Sequence, residues 1–135
     1  TDMCSFMTLI DEQTANWSRD QAQDLMTNWL SSGEPFDFVI ANNDEMAIGA
    51  IQAMETAGID MADVEVGGVD ATQDALVAMQ AGQLDVTVFQ DAFGQGAGSV
   101  NTALALAAGE DVDSKVYIPF QLVVPGNIEN FLRKN

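Results

Sequence analysis

Phe36-Asp37-Phe38-Val39-Ile40-Ala41-Asn42-Asn43-Asp44-Glu45-Met46-Ala47-Ile48-Gly49-Ala50 decides the fold of this chain. Its first five residues form a nearly continuous apolar run of the kind buried on both faces of a parallel sheet, and Gly33 and Pro35 interrupt the chain just before it. Asn43 or Asp44 can cap a following helix. In that helix Met46, Ala47, Ile51, Ala53, Met54 and Ala57 make a wide apolar face, and Gly58 is placed to end it. A strand is thus followed at once by a helix, as a parallel crossover requires.

The same alternation extends in both directions. Upstream, Ser18 and Gln21 have capping-box spacing, and Ala22, Leu25, Met26, Trp29 and Leu30 recur at helical intervals, which predicts a helix from about 18 to 31. Before it, Phe6-Met7-Thr8-Leu9-Ile10 reads as a strand that stops at the polar loop Asp11-Glu12-Gln13-Thr14. Downstream, Val64 to Val69 reads as a strand, Gln73 to Ala81 as a short helix closed by Gly82, and Val86 to Phe89 as another strand. A small-residue helix opens at Gly94 and runs to Ala108, where Gly109 ends it, and Val116 to Val124 gives the last strand. The pattern predicts an α/β fold with a mostly parallel sheet flanked by helices.

Composition narrows the chemistry. The chain has 135 residues, enough for one domain with a core, and 47% of them are hydrophobic, which argues against disorder. Four basic residues (Arg19, Lys115, Arg133, Lys134) face 21 acidic ones, and a net charge of −17 repels nucleic acid and anionic lipid surfaces. There is no histidine, and the single Cys4 has no internal partner. Catalytic triads, Cys/His zinc sites and disulfide scaffolds therefore fall away. No stretch approaches the ~20 apolar residues of a membrane span, and the opening Thr1-Asp2-Met3-Cys4 lacks the basic and apolar regions of a leader.

In open α/β sheets ligands sit beyond the carboxyl ends of the strands. Here that rule selects Asp11 to Trp17, Ala41 to Asp44, Asp70 to Thr72 and Gln90 to Phe93 as loops sharing one rim. The rim offers an aromatic ring (Trp17), amides (Asn16, Asn42, Asn43, Gln90), carboxylates (Asp44, Asp70, Asp91) and hydroxyls (Ser18, Thr72). It has no strong nucleophile beside a base. Amides present donor and acceptor together, a carboxylate accepts from two hydroxyls at once, and an indole face covers the C–H side of a ring. Such a set suits a neutral sugar or cyclitol.

Each of these residues also has a structural role open to it. Trp17 can be a hydrophobic staple, Asn43 and Asp44 can be helix caps, with the cap favoured for Asp44, and Asp70 can be a turn residue or the next cap. Gly94-Gln95-Gly96-Ala97-Gly98 lacks the spacing and the lysine of a phosphate loop and is read as close helix packing. The rim carboxylates are not predicted to be desolvated enough for glycoside hydrolysis, so the chain is read as a binding protein that needs no cofactor or metal, not as an enzyme.

Four segments in order carry a resemblance. They are Gln13 to Ala22, Val39 to Ala50 (with Asn42-Asn43-Asp44-Glu45-Met46-Ala47), Gly68-Val69-Asp70-Ala71-Thr72, and Ala81 to Asp91 (with Val88-Phe89-Gln90-Asp91). Through them the chain resembles the periplasmic sugar-binding proteins of bacterial ABC transporters, of the ribose, galactose and myo-inositol type, and it is similar to their C-terminal half only. The resemblance implies a two-lobed binding protein, with residues 1–88 and 116–135 in an incomplete C-terminal lobe and residues 89–115 forming a hinge and a segment of the N-terminal lobe. It implies that Trp17 stacks on the sugar, that Asn43 and Asp70 bind hydroxyls, and that Gln90 reaches the ligand from the hinge. The partners implied are a small neutral sugar or cyclitol, a membrane permease, and the N-terminal half of the same protein. The compartment implied is the bacterial periplasm. Sugar-responsive repressors of the lac-repressor type share the lobe and a version of Asn-Asp-Glu-Met-Ala, so the effector domain of a transcription regulator is the alternative.

Overall fold

The computed structural model describes residues 5–133; Thr1 to Cys4, read above for a leader's features, and Lys134 and Asn135 lie outside the described residues. Ser18 opens the first helix, α1 (Arg19–Leu30), in an extended conformation, and its side chain accepts from the Gln21 backbone N–H. Only half of the capping box forms, because the Gln21 side-chain oxygen accepts instead from Asn16 Nδ2 at 2.7 Å. Asn43 caps the second helix, α2 (Asp44–Thr56), and Gly58, at φ +81°, ends it as the sequence predicts.

The two helices cross closely at one point. A Cβ on Gly49 would lie 2.2 Å from the carbonyl oxygen of Arg19, so only glycine fits there. The short strands β1 (Phe38–Ile40) and β2 (Glu65–Gly67) pair in parallel with Val39 opposite Val66. Helix α3 (Gln73–Gln80) follows β2, capped by Thr72 and closed at Gly82. Strand β3 (Thr87–Phe89) continues the sheet through parallel bridges from Gly67 to Val86 and from Asp70 to Phe89. Strand β4 (Gln121–Val123) then pairs antiparallel to β3, with Val88 opposite Leu122. The spatial order β1-β2-β3-β4 is parallel over its first three strands and antiparallel at the last, with α2 and α3 packed over a core that includes Met54, Val66, Leu76, Leu84 and Val123.

The structure departs from the sequence reading at the two ends of the sheet. Phe6 to Ile10 forms no strand, and Phe6 and Leu9 are 79% and 74% exposed. The last strand is confined to three residues, with Val116 to Phe120 outside it. A strand persists only where its N–H and C=O groups find a ladder, and apolar content alone does not supply one. Among the described residues no strand lies beside the free edge of β1.

Helix α4 (Ala92–Ala107) starts two residues before Gly94, because Asp91 caps it by accepting from the Gly94 N–H at 2.7 Å. It buries none of its residues, and Val100 and Leu104 on its apolar face remain exposed.

Leu76 is fully buried where α3 meets the sheet. Leu76→Ala should lower the unfolding free energy by about 3 kcal/mol, from lost transfer energy plus the cavity left behind, as measured by urea denaturation.

Candidate functional site

The carboxyl ends of β1, β2 and β3 and the loop before α1 do meet on one rim, and the four residues singled out from the sequence fall there as two pairs. Asp70 follows β2 and is held by its own N–H to the Val88 carbonyl at 2.8 Å. Gln90, at the end of β3, donates from Nε2 to Asp70 Oδ1 at 2.5 Å. Asn43 donates from Nδ2 to the Trp17 carbonyl at 3.5 Å, which ties the loop before α1 to the start of α2. The Trp17 ring is 65% exposed, so it is not spent as a staple on α1.

Backbone strain is concentrated on this rim. Asn16 (φ +50°), Trp17 (+63°), Asp70 (+118°) and Ala71 (+53°) are the non-glycine residues with positive φ among the described residues, and all lie in two of the rim loops. Such conformations cost of order 1–3 kcal/mol each and persist where the surroundings enforce them, characteristically at ligand sites. Thr72, not Asp70, caps α3, its hydroxyl oxygen accepting from the Ala75 N–H at 3.2 Å. Asp70 is therefore a strained turn residue whose carboxylate is not used as a cap.

Asp44 corrects the sequence reading. Asn43 Oδ1 takes the cap by accepting from the Met46 N–H at 3.0 Å, and Asp44, the first residue of α2, is fully buried beneath the rim. Its Oδ1 accepts from the Thr87 hydroxyl at 2.6 Å and its Oδ2 from the Thr72 N–H at 2.8 Å. Burial pushes the Asp44 carboxyl above its ordinary value, the bonds from Thr87 and Thr72 pull it back, and the nearby Asp70 charge adds to the rise. No local signal marks this role, since Asn43 and Asp44 are both good caps and Thr87 lies far along the chain.

Arg19, one of the four basic residues, carries a role that its sequence neighbours do not signal. Its Nε and Nη2 donate to the two carboxylate oxygens of Glu45, each at 2.9 Å, and Nη2 also reaches Asp74 at 2.8 Å. The starts of α1, α2 and α3 are thereby joined, and both carboxylates hold the guanidinium pKa above its usual value. Among the described residues no group of His, Cys, Asp or Glu side chains could hold a metal ion, and no helix is long and apolar enough to cross a membrane.

Residues 4–111 match the periplasmic binding protein domain. The chain belongs to this family. It is 62% identical over its whole length to a protein of Rhizobium meliloti named for rhizopine binding, of which it covers 44%. An ABC transporter solute-binding protein of Bacillus halodurans, solved with bound myo-inositol, superposes with TM-score 0.88 at 52% identity, over 95% of this chain and 44% of that one. The myo-inositol-binding protein of Caulobacter, also with myo-inositol bound, superposes with TM-score 0.85 at 35% identity, over 93% of this chain and 43% of that one. The chain thus spans less than half the length of these relatives.

The raised pKa of Asp44 has a signed consequence for stability. A carboxyl whose folded pKa exceeds its unfolded one contributes most at low pH, and that contribution falls as pH rises above the ordinary 3.8 and through the raised value. The stability difference between the unmutated protein and Asp44→Asn, from urea midpoints at a series of pH values, should therefore decline with rising pH. A difference that stays flat would contradict this electrostatic picture of the site.

Proposed function

We propose that the protein containing this chain is the solute-binding component of an ABC-type sugar uptake system, and that it takes a neutral monosaccharide or cyclitol, without covalent chemistry, between two lobes. The observation that carries this reading is the Asp70–Gln90 pair at the ends of adjacent strands, on the same rim as an indole left open to water. A paired carboxylate and amide read neighbouring hydroxyls, each charge-assisted bond contributing roughly 1.5–3 kcal/mol when dry, while a ring face reads C–H groups. Trp17, Asn43, Asp70 and Gln90 are the proposed ligand-binding residues. The rim has no nucleophile with an adjacent base, which supports binding rather than catalysis.

Residues 1–88 and 116–135 are assigned to one lobe, and residues 89–115 to the hinge and an excursion into the other. Helix α4 buries no residue and lies between two strands that pair with each other, which supports that division. The remaining partners are the other half of the protein and a membrane permease, and the compartment is the periplasm. The solved relatives are solute-binding proteins of transporters, some with myo-inositol bound, which favours uptake over the repressor alternative and places cyclitols first among ligands.

Calorimetry on the whole protein with myo-inositol, D-ribose and D-galactose should show saturable binding of at least one. Trp17→Ala and Asp70→Ala should each weaken it by about 10- to 100-fold, the equivalent of one or two charge-assisted bonds or a stacked face. No heat and no thermal shift with any of the three would refute the proposal.

A further inference from the structure

The strained turn at Asp70 and Ala71 is gripped from below by two side chains that no solute on the rim can touch. Three consecutive backbone N–H groups in the turn each have a partner: Asp70 N–H donates to the Val88 carbonyl at 2.8 Å, Ala71 N–H to Thr87 Oγ1 at 3.2 Å, and Thr72 N–H to Asp44 Oδ2 at 2.8 Å. The Thr87 hydroxyl in turn donates a hydrogen bond to Asp44 Oδ1 at 2.6 Å, so the hydroxyl and the carboxylate act as one unit. Asp44 is anchored in turn by its N–H to the Val69 carbonyl at 2.8 Å, just before the turn. Both Asp44 and Thr87 have no exposed surface. Gly68 makes the arrangement possible, since a Cβ there would lie 2.4 Å from Asp44 Oδ1.

A left-handed backbone at two successive side-chain-bearing residues does not hold itself; the surrounding bonds must enforce it. Here those bonds come from a helix start and a neighbouring strand, and the direction of the Asp70 carboxylate depends on them. We propose that Asp44 and Thr87 are positioning residues of the solute site, a buried carboxylate–hydroxyl pair that fixes the turn and so aims Asp70 at the ligand. The proposal rests on the solute-binding function inferred above, and it adds residues that make no contact with solute.

Asp44→Ala strips a buried cluster and risks unfolding, so Thr87→Val, which keeps the shape and removes only the hydroxyl, carries the test. In the whole protein, folded by circular dichroism, Thr87→Val should raise the Kd for whichever of myo-inositol, D-ribose and D-galactose binds by about tenfold, and Thr87→Ser, which keeps the hydroxyl, should restore most of it. In an Asp70→Asn background the same Thr87→Val change should cost much less, because its effect passes through Asp70. Hydrogen exchange supplies a readout that needs no ligand: in Thr87→Val the Ala71 amide should exchange faster, while core amides such as Val66 keep their rates. If the unmutated protein binds none of myo-inositol, D-ribose and D-galactose, the function proposed above fails, and the exchange rates still decide whether the turn is held as described. An unchanged Ala71 exchange rate, unweakened binding in Thr87→Val, or a Thr87→Val penalty undiminished by Asp70→Asn overturns the proposal.

Discussion

A carboxylate with no surface in water must be satisfied entirely by the protein around it, and in this chain Asp44 is that group. Its two oxygens accept from Thr87, on β3, and from the Thr72 N–H at the start of α3, while the Asp44 backbone N–H donates to the Val69 carbonyl at the tail of β2. Satisfying Asp44 therefore fixes where α2 begins relative to two strands and a second helix. The sheet is narrow and its strands are three residues long, so ladder bonds alone give it little rigidity. The polar cluster beneath the rim supplies what the short ladders lack. On the outer side of the same rim, Arg19 joins the starts of three helices through Glu45 and Asp74, in a partly exposed setting where ion pairs are worth less.

Elements governed by local chemistry were legible in the sequence. Ser18 and Asn43 cap where their spacing to the following apolar face predicts, and Gly58, Gly82 and Gly109 stop helices with positive φ. What failed was nonlocal. Phe6 to Ile10 has the composition of a strand but no ladder beside it, and composition cannot report a missing partner. Val116 to Phe120 fails in the same way, while Gln121 to Val123 succeeds because β3 is adjacent.

The rim shows the same division. The rule that ligands gather at strand ends put Trp17, Asn43, Asp70 and Gln90 in a larger rim set, the family resemblance singled them out, and the structure holds them on that rim as two bonded pairs. Between Asn43 and Asp44, however, sequence could not choose a cap, since either side chain can accept from a helix N–H. The choice is made by Thr87, which lies 43 positions further along and is brought in only by the parallel alignment of β2 and β3.

The antiparallel return of β4 has a kinetic and topological side. Phe89 pairs with Gln121, so residues 90–120 form one long closed loop, and α4 lies inside it without burying a residue. The entropy of closing such a loop grows only with the logarithm of its length, each doubling costing roughly 0.6 kcal/mol. The ladder is therefore nearly indifferent to what the loop contains. Because the ladder senses only the closure, the excursion that holds α4 can be lengthened, shortened or rebuilt at small thermodynamic expense to the sheet.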